Sequence, residues 1–275
     1  MTATQPCRPS PADGGPPCCD PHPWIQTEGL SLHYGTHTAF RDVTLPIHKG
    51  CITAIVGPSG CGKSSLLQSL NRLTDLIPEC RVTGRIRLDG QDVTSRDVDV
   101  IALRRRVGMI FQKPIPLPFS IRKNLDFPLR QHGVKQASAR DAKIERALRD
   151  VGLWDEVKDR LDAPAVGLSG GQLQRLCIAR TLALDPEVLL LDEPCSALDP
   201  LASGTVEDLI ASLRGRYTIA IVIHNLAQAR RIADHVAVFW VQEGCGRLVE
   251  FGAAAAIFHQ PAQELTAAYI GGMRG

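Results

Sequence analysis

The chain has no apolar run approaching the roughly 18 residues that a membrane-crossing helix requires, so any membrane crossing is expected from another chain. Its start lacks the basic residues and apolar block of a secretory signal, and residence in the cytoplasm is expected. Neither sign of charge is in excess. A net charge of +2 over 275 residues excludes a global electrostatic drive toward nucleic acid or acidic membranes. There are nine cysteines, but no pair shows zinc-ligand spacing. They read as small core residues or free thiols rather than a disulfide or metal framework. There is no internal repeat. What is present is ordinary globular material, 44% hydrophobic and 22% charged, enough for a core in one or two domains.

Along the chain, Met1 to Pro23 is rich in Pro, Gly and Cys and poor in large apolar residues, so it is expected to be a disordered tail. Leu30, Leu32 and Tyr34 alternate, as do Val43, Leu45 and Ile47, predicting a hairpin turned at Gly35. With Arg85–Leu88 it should form a small antiparallel sheet beside the main core. Ile52–Val56, Val107–Phe111, Val188–Leu191 and Thr218–Ile223 read as buried parallel strands. Val236–Val241 and Arg247–Phe251 read as late strands. Helical spacing predicts one helix over Ala137–Val157 and another over Leu173–Leu184, with a short helix after Ala253.

The organising stretch is Gly57-Pro58-Ser59-Gly60-Cys61-Gly62-Lys63-Ser64, between a predicted strand and a helix carrying Leu66, Leu67, Leu70 and Leu73. Its glycines let backbone N–H groups turn inward onto phosphate oxygens, and the helix N-terminus adds positive potential. Lys63 can reach the β- and γ-phosphates, and the Ser64 hydroxyl can ligate Mg²⁺. Cys61 beside Lys63 and these donors predicts a lowered thiol pKa, and inactivation by alkylation from which ATP protects. A second signal is Leu168-Ser169-Gly170-Gly171-Gln172, where Ser169 can cap a helix whose N–H groups the glycines leave open. A second phosphate-facing helix end makes sense if one protomer touches the nucleotide of another.

These two motifs, together with Val188–Pro194 and His224, stand in the order of the ATP-binding-cassette (ABC) ATPases, which the chain resembles from Trp24 to Phe251. The resemblance implies a P-loop NTPase α/β fold, with a mostly parallel sheet, an antiparallel β-subdomain and a helical signature subdomain at about residues 113–180. The ATPase domain would span residues 24–275, and its cofactors would be ATP and Mg²⁺. Tyr34 resembles the aromatic that stacks on adenine. The phosphate loop extends to Ser65, where Thr is commoner. Gln112 resembles the glutamine that senses Mg²⁺ and the attacking water, Asp192 the Mg²⁺ holder and Glu193 the general base. His224 resembles the histidine on the γ-phosphate, and Ser196-Ala197-Leu198-Asp199 the loop linking the paired sites. Cys195 and Ile223 occupy positions where Thr is usual. The partners implied are a second copy, which sandwiches two ATPs head to tail, and two transmembrane permease subunits. A periplasmic or extracellular solute-binding protein would take part indirectly; no nucleic acid is implied.

Within the family, several segments resemble the ATPase subunits of bacterial phosphate importers: Leu70–Leu73, Asp75–Pro78, Asp97–Val100, Leu103–Met109, Phe111–Pro114, Leu153–Leu161 and Val249–Gly252. That implies inorganic phosphate uptake, from the inner face of the cell membrane. Lys113–Ile121 departs from those subunits at Ile115 and Leu117, where Asn and Phe are usual. An importer of another small solute, or a non-transport ATPase of the family, is the alternative reading.

Overall fold

The computed structural model describes residues 23–272. The predicted tail, with Cys7, Cys18 and Cys19, lies outside them, apart from Pro23, the first residue of a strand. The strands are β1 (Pro23–Tyr34), β2 (His37–Val43), β3 (Pro46–His48), β4 (Ile52–Val56), β5 (Cys80–Leu88), β6 (Gln91–Asp92), β7 (Val107–Ile110), β8 (Val188–Asp192), β9 (Thr218–Val222), β10 (His235–Gln242) and β11 (Cys245–Ala253). The α-helices are α1 (Lys63–Leu70), α2 (Val100–Arg106), α3 (Ile121–Gln131), α4 (Ala137–Asp150), α5 (Trp154–Val157), α6 (Gly170–Leu182), α7 (Pro200–Ser212), α8 (Leu226–Ile232), α9 (Ala254–His259) and α10 (Glu264–Ile270).

All residues of β4, β8 and β9 are buried, as continuous aliphatic runs covered on both faces should be. Alternate residues divide between two apolar layers. Leu189 and Leu191 join Leu176, Ile178 and Val206 under the helices of one face. Val188 and Leu190 join Leu66, Leu67 and Leu70 of α1 on the other. This follows from the two-residue period of a strand.

The sheet differs from expectation in its extent. The antiparallel strands are not a separate small sheet but continue the core, in the order β6-β5-β1-β2-β11-β10-β4-β9-β8-β7, with β3 paired to β1. β10 runs parallel to β4 and antiparallel to β11, and β11 meets β2 where Gly246 pairs with Phe40. The strand period predicts which residues face inward, but not which edge a late strand joins.

The single helix predicted over Ala137–Val157 is broken in two. Gly152 takes φ +63°, its N–H bonds Arg149 O at 2.9 Å, and Leu153 N–H bonds Leu148 O at 2.8 Å. This bond pair closes a helix on a left-handed glycine, and the chain restarts at α5. The helix predicted from Leu173 begins earlier, at Gly170, because Ser169 caps it.

Candidate active site

β4, β7, β8 and β9 are mutually parallel or linked through parallel neighbours. Their C-terminal ends therefore open on one edge of the sheet, where ligands of open α/β sheets bind. The phosphate loop leaves β4 there and turns into α1. Gly57 takes φ +144°, and a Cβ on it would lie 2.1 Å from Phe239 O of β10. Only glycine lets the loop lie this close to the strand beside it. Lys63 is buried, and its Nζ donates to Gly57 O at 2.8 Å and Pro58 O at 2.7 Å. The ammonium is thus held inside the loop's own curve.

The loop opens on a cleft of about 270 Å³ lined by Tyr34, His37, Ser59, Lys63, Ser65 and His224 among others. Tyr34 donates its hydroxyl to Ser65 Oγ at 3.2 Å, which fixes the ring at the mouth of the cleft. His37 was not singled out from the sequence. It stands opposite Tyr34 across the β1–β2 hairpin, and this hairpin register was the one signal that could have found it.

Asp192 and Glu193 leave β8 in opposite senses. Asp192 Oδ1 accepts from Ser64 Oγ at 2.8 Å. Burial pushes the Asp192 carboxyl above its ordinary range, although the Ser64 hydrogen bond and Lys63 pull it down. Glu193 adopts φ +47°. Its Oε1 lies 2.5 Å from His224 Nε2, and its Oε2 accepts from Gln112 Nε2 at 3.0 Å. Gln112 Nε2 also reaches Ser196 Oγ at 3.2 Å. Residues from the ends of the two strands flanking β8 thus converge on one carboxylate.

No cluster of three His, Cys, Asp or Glu residues able to hold a metal by itself occurs among the described residues. The Ser64 hydroxyl and Asp192 carboxylate nevertheless fit Mg²⁺, which takes one or two protein oxygens and completes its shell with water and phosphate oxygens. A dication there would offset the buried Asp192 charge.

The Leu168–Gln172 motif lies apart from this cleft. Ser169 Oγ accepts from Gln172 N at 3.3 Å, and Gln172 Oε1 accepts from Ser169 N at 3.0 Å, a complete capping box on α6. Gln172 Nε2 also donates to Glu156 Oε2 at 2.7 Å, and Glu156 pairs with Arg175 at 2.8 Å. Ser169 and Gly170 face solvent, and neither they nor Gly171 and Gln172 line the phosphate-loop cleft.

The expected lowering of the Cys61 thiol pKa is overturned. Its side chain is fully buried, and burial raises the thiol above its ordinary pKa more than Lys63, 3.7 Å away, lowers it. The sequence placed the thiol beside a cation; the fold also removed it from water. Among the described residues, Cys61, Cys80, Cys177, Cys195 and Cys245 are free cysteines.

A phosphate loop on a parallel sheet, a strand-end carboxylate pair and a third strand's histidine on one edge define a P-loop nucleotide hydrolase. Residues 40–196 match the family described as ABC transporter. The chain is 59% identical over 261 residues to "Phosphate import ATP-binding protein PstB 1" of Nitrosococcus oceani, covering 95% of this chain and 94% of the relative. It is 51% identical over 251 residues to the protein of the same name in Vibrio parahaemolyticus, covering 91% of each. Among solved structures it is similar to cbiO1 of Clostridium perfringens, part of the ABC transporter complex cbiONQ. That match has TM-score 0.72 and 27% identity, and covers 92% of this chain and 96% of the other. The chain belongs to the ABC transporter ATPases, in the branch of its phosphate-import relatives.

Proposed function

We propose that this chain hydrolyses ATP to power inorganic phosphate uptake through separate membrane subunits. The observation that carries the reading is the 59% identity to a phosphate import ATP-binding protein, sustained over 95% of the chain and so well beyond the shared ATPase motifs. The chain's own contribution is hydrolysis. Lys63, released from its loop carbonyls, binds the β- and γ-phosphates, and Tyr34 stacks on the adenine. Ser64 and Asp192, with Gln112 close by, hold Mg²⁺, which supplies positive charge to the phosphate oxygens when bound. Glu193 takes a proton from the attacking water, with His224 beside its carboxylate. Ser169, Gly170, Gly171 and Gln172 complete the site of a second copy, since Ser169 and Gly170 are exposed, Gly171 and Gln172 are half-buried, and all four lie outside their own cleft. In this reading the segment at about residues 113–180 acts as the helical subdomain. No helix among the described residues is long and apolar enough to cross a membrane, so two permease subunits carry the crossing. This chain then sits on the cytoplasmic face, and a solute-binding protein delivers phosphate from the other side.

The test is uptake of radiolabelled phosphate by cells whose only copy carries Lys63→Ala. Uptake should fall to background, with the protein still present at normal level. Undiminished phosphate uptake, with loss of a different solute's import, would move the chain to another cargo.

A further inference from the structure

Gln174 of α6 has none of its side chain exposed, and neither Nε2 nor Oε1 has a hydrogen-bond partner among the described residues. None of the chemistry above uses it. A buried primary amide offers two donors and an acceptor oxygen, and leaving them idle is unfavourable enough to demand a reason.

Its surroundings follow from its neighbours on the helix. At the start of α6, a Cβ on Gly170 would lie 3.4 Å from Leu198 Cδ2, and one on Gly171 2.9 Å from Ala202 Cβ. Further along, Thr181 Cγ2 would lie 2.3 Å from a Cβ on Gly108 in β7. Residues 170, 174, 177 and 181 share one face at helical spacing. α6 therefore runs back along β7 from the edge where the active site opens. The seven residues from Thr181 to Gln174 span about 10 Å, as do roughly three strand residues beyond Gly108. That puts Gln174 level with Phe111 and Gln112, beside the loop that carries Ser196. Gln112 is the residue now tied to Glu193 and Ser196.

We propose that Gln174 is a positioning residue for Gln112. When nucleotide draws Gln112 away from Glu193, the backbone of Phe111–Lys113 settles onto α6, and the Gln174 amide hydrogen-bonds it and holds Gln112 toward the nucleotide and its metal. The amide is idle in the resting chain because its partner arrives only with the ligand. The proposal rests on the ATPase reading above.

The experiment compares full-length wild type with Gln174→Met, an apolar side chain of similar volume. Without nucleotide the variant should melt above wild type, since an idle buried amide is gone. Its kcat should fall about tenfold to a hundredfold through misplacement of Gln112. The Mg²⁺ concentration for half-maximal hydrolysis should rise, while affinity for Mg²⁺-free ATP stays the same; a merely structural role would not move the Mg²⁺ dependence. As a second measurement, the side-chain amide of Gln174 in ¹⁵N-glutamine-labelled wild type should exchange more slowly once Mg·ATPγS is added. This measurement decides alone if the variant does not fold. A melting temperature at or below wild type, unchanged kcat and Mg²⁺ dependence, or an amide signal indifferent to nucleotide overturns the proposal. Wild type that hydrolyses no ATP overturns the ATPase reading itself.

Discussion

Glu193 leaves β8 with φ +47°, a left-handed conformation that costs a non-glycine residue of order 1–3 kcal/mol. The surroundings hold it there: its N–H bonds Val222 O at 3.2 Å, and its carboxylate is gripped by His224 and Gln112. Strain of this kind, at the point where the proposed base must face water, is consistent with positioning for chemistry. Glu193→Gln should therefore leave ATP binding intact and lower kcat by about 10²- to 10⁴-fold; steady-state hydrolysis beside an equilibrium ATP-binding measurement checks both. Asp192 yields a prediction of opposite kind. Its carboxyl pKa is raised by burial above the ordinary 3.8. Ionisation thus disfavours the folded state, and the resting chain loses stability as pH rises from that ordinary value through the raised one. At neutral pH Asp192→Asn should melt higher than wild type without nucleotide, yet lose the extra stabilisation that Mg²⁺ adds to ATP. Calorimetry with and without Mg²⁺ separates the two effects. Both acids were legible as the end of an aliphatic run. What each touches was not, because the partners arrive from positions such as Ser64, Gln112 and His224, far away in the chain. Cys61 shows the limit most sharply: its charged neighbour was legible, its burial was not. It should resist iodoacetamide in the native chain and react on unfolding, as mass spectrometry of the labelled peptide would record.

Among the elements, the phosphate loop is held from beneath by parts of the chain that carry no motif. A Cβ on Gly246, at the start of β11, would lie 2.1 Å from Cys61 O and 3.0 Å from Ala39 O, both backbone atoms that cannot yield. Gly246→Ala should therefore push the loop out of shape. It should raise the KM for ATP and lower the melting temperature, although residue 246 touches no nucleotide in the proposed mechanism. An unchanged KM would show that the loop tolerates the shift. The signature helix behaves differently, since its cap is local. Ser169→Ala removes one half of the capping box and should cost about 0.5–2 kcal/mol, a shift of roughly 2–4 °C per kcal/mol for a chain of this size. The cap was readable from Ser169 and Gln172 because both its bonds join residues three apart. The break after α4 was not, because residues 137–157 keep an apolar stripe on both sides of it and Gly152 alone marks the stop.

For the whole molecule, the exposed signature and its separation from the phosphate loop carry the proposal of a nucleotide-sandwich dimer. Val166 and Leu201, beside Ser169 and Asp199, are 71% and 83% exposed, apolar surface that a second copy would cover. Glu193→Gln with Mg·ATP should elute at twice the monomer mass, and Glu193→Gln/Ser169→Arg should not; light scattering on the eluted peak gives the mass. By itself the sequence determined the phosphate loop, the capped signature helix, the aliphatic central strands and the order of the motifs. Each of these rests on contacts within a few residues or on the period of one element. Tertiary structure alone decided the joining of the antiparallel strands into one sheet, the gathering of Ser64, Gln112 and His224 onto two adjacent acids, the sealing of Cys61 from solvent and the support of the phosphate loop by Gly246. Those depend on which edges pair and which surfaces pack, and such long-range choices are settled by burial of the whole apolar surface at once rather than by any local run of residues.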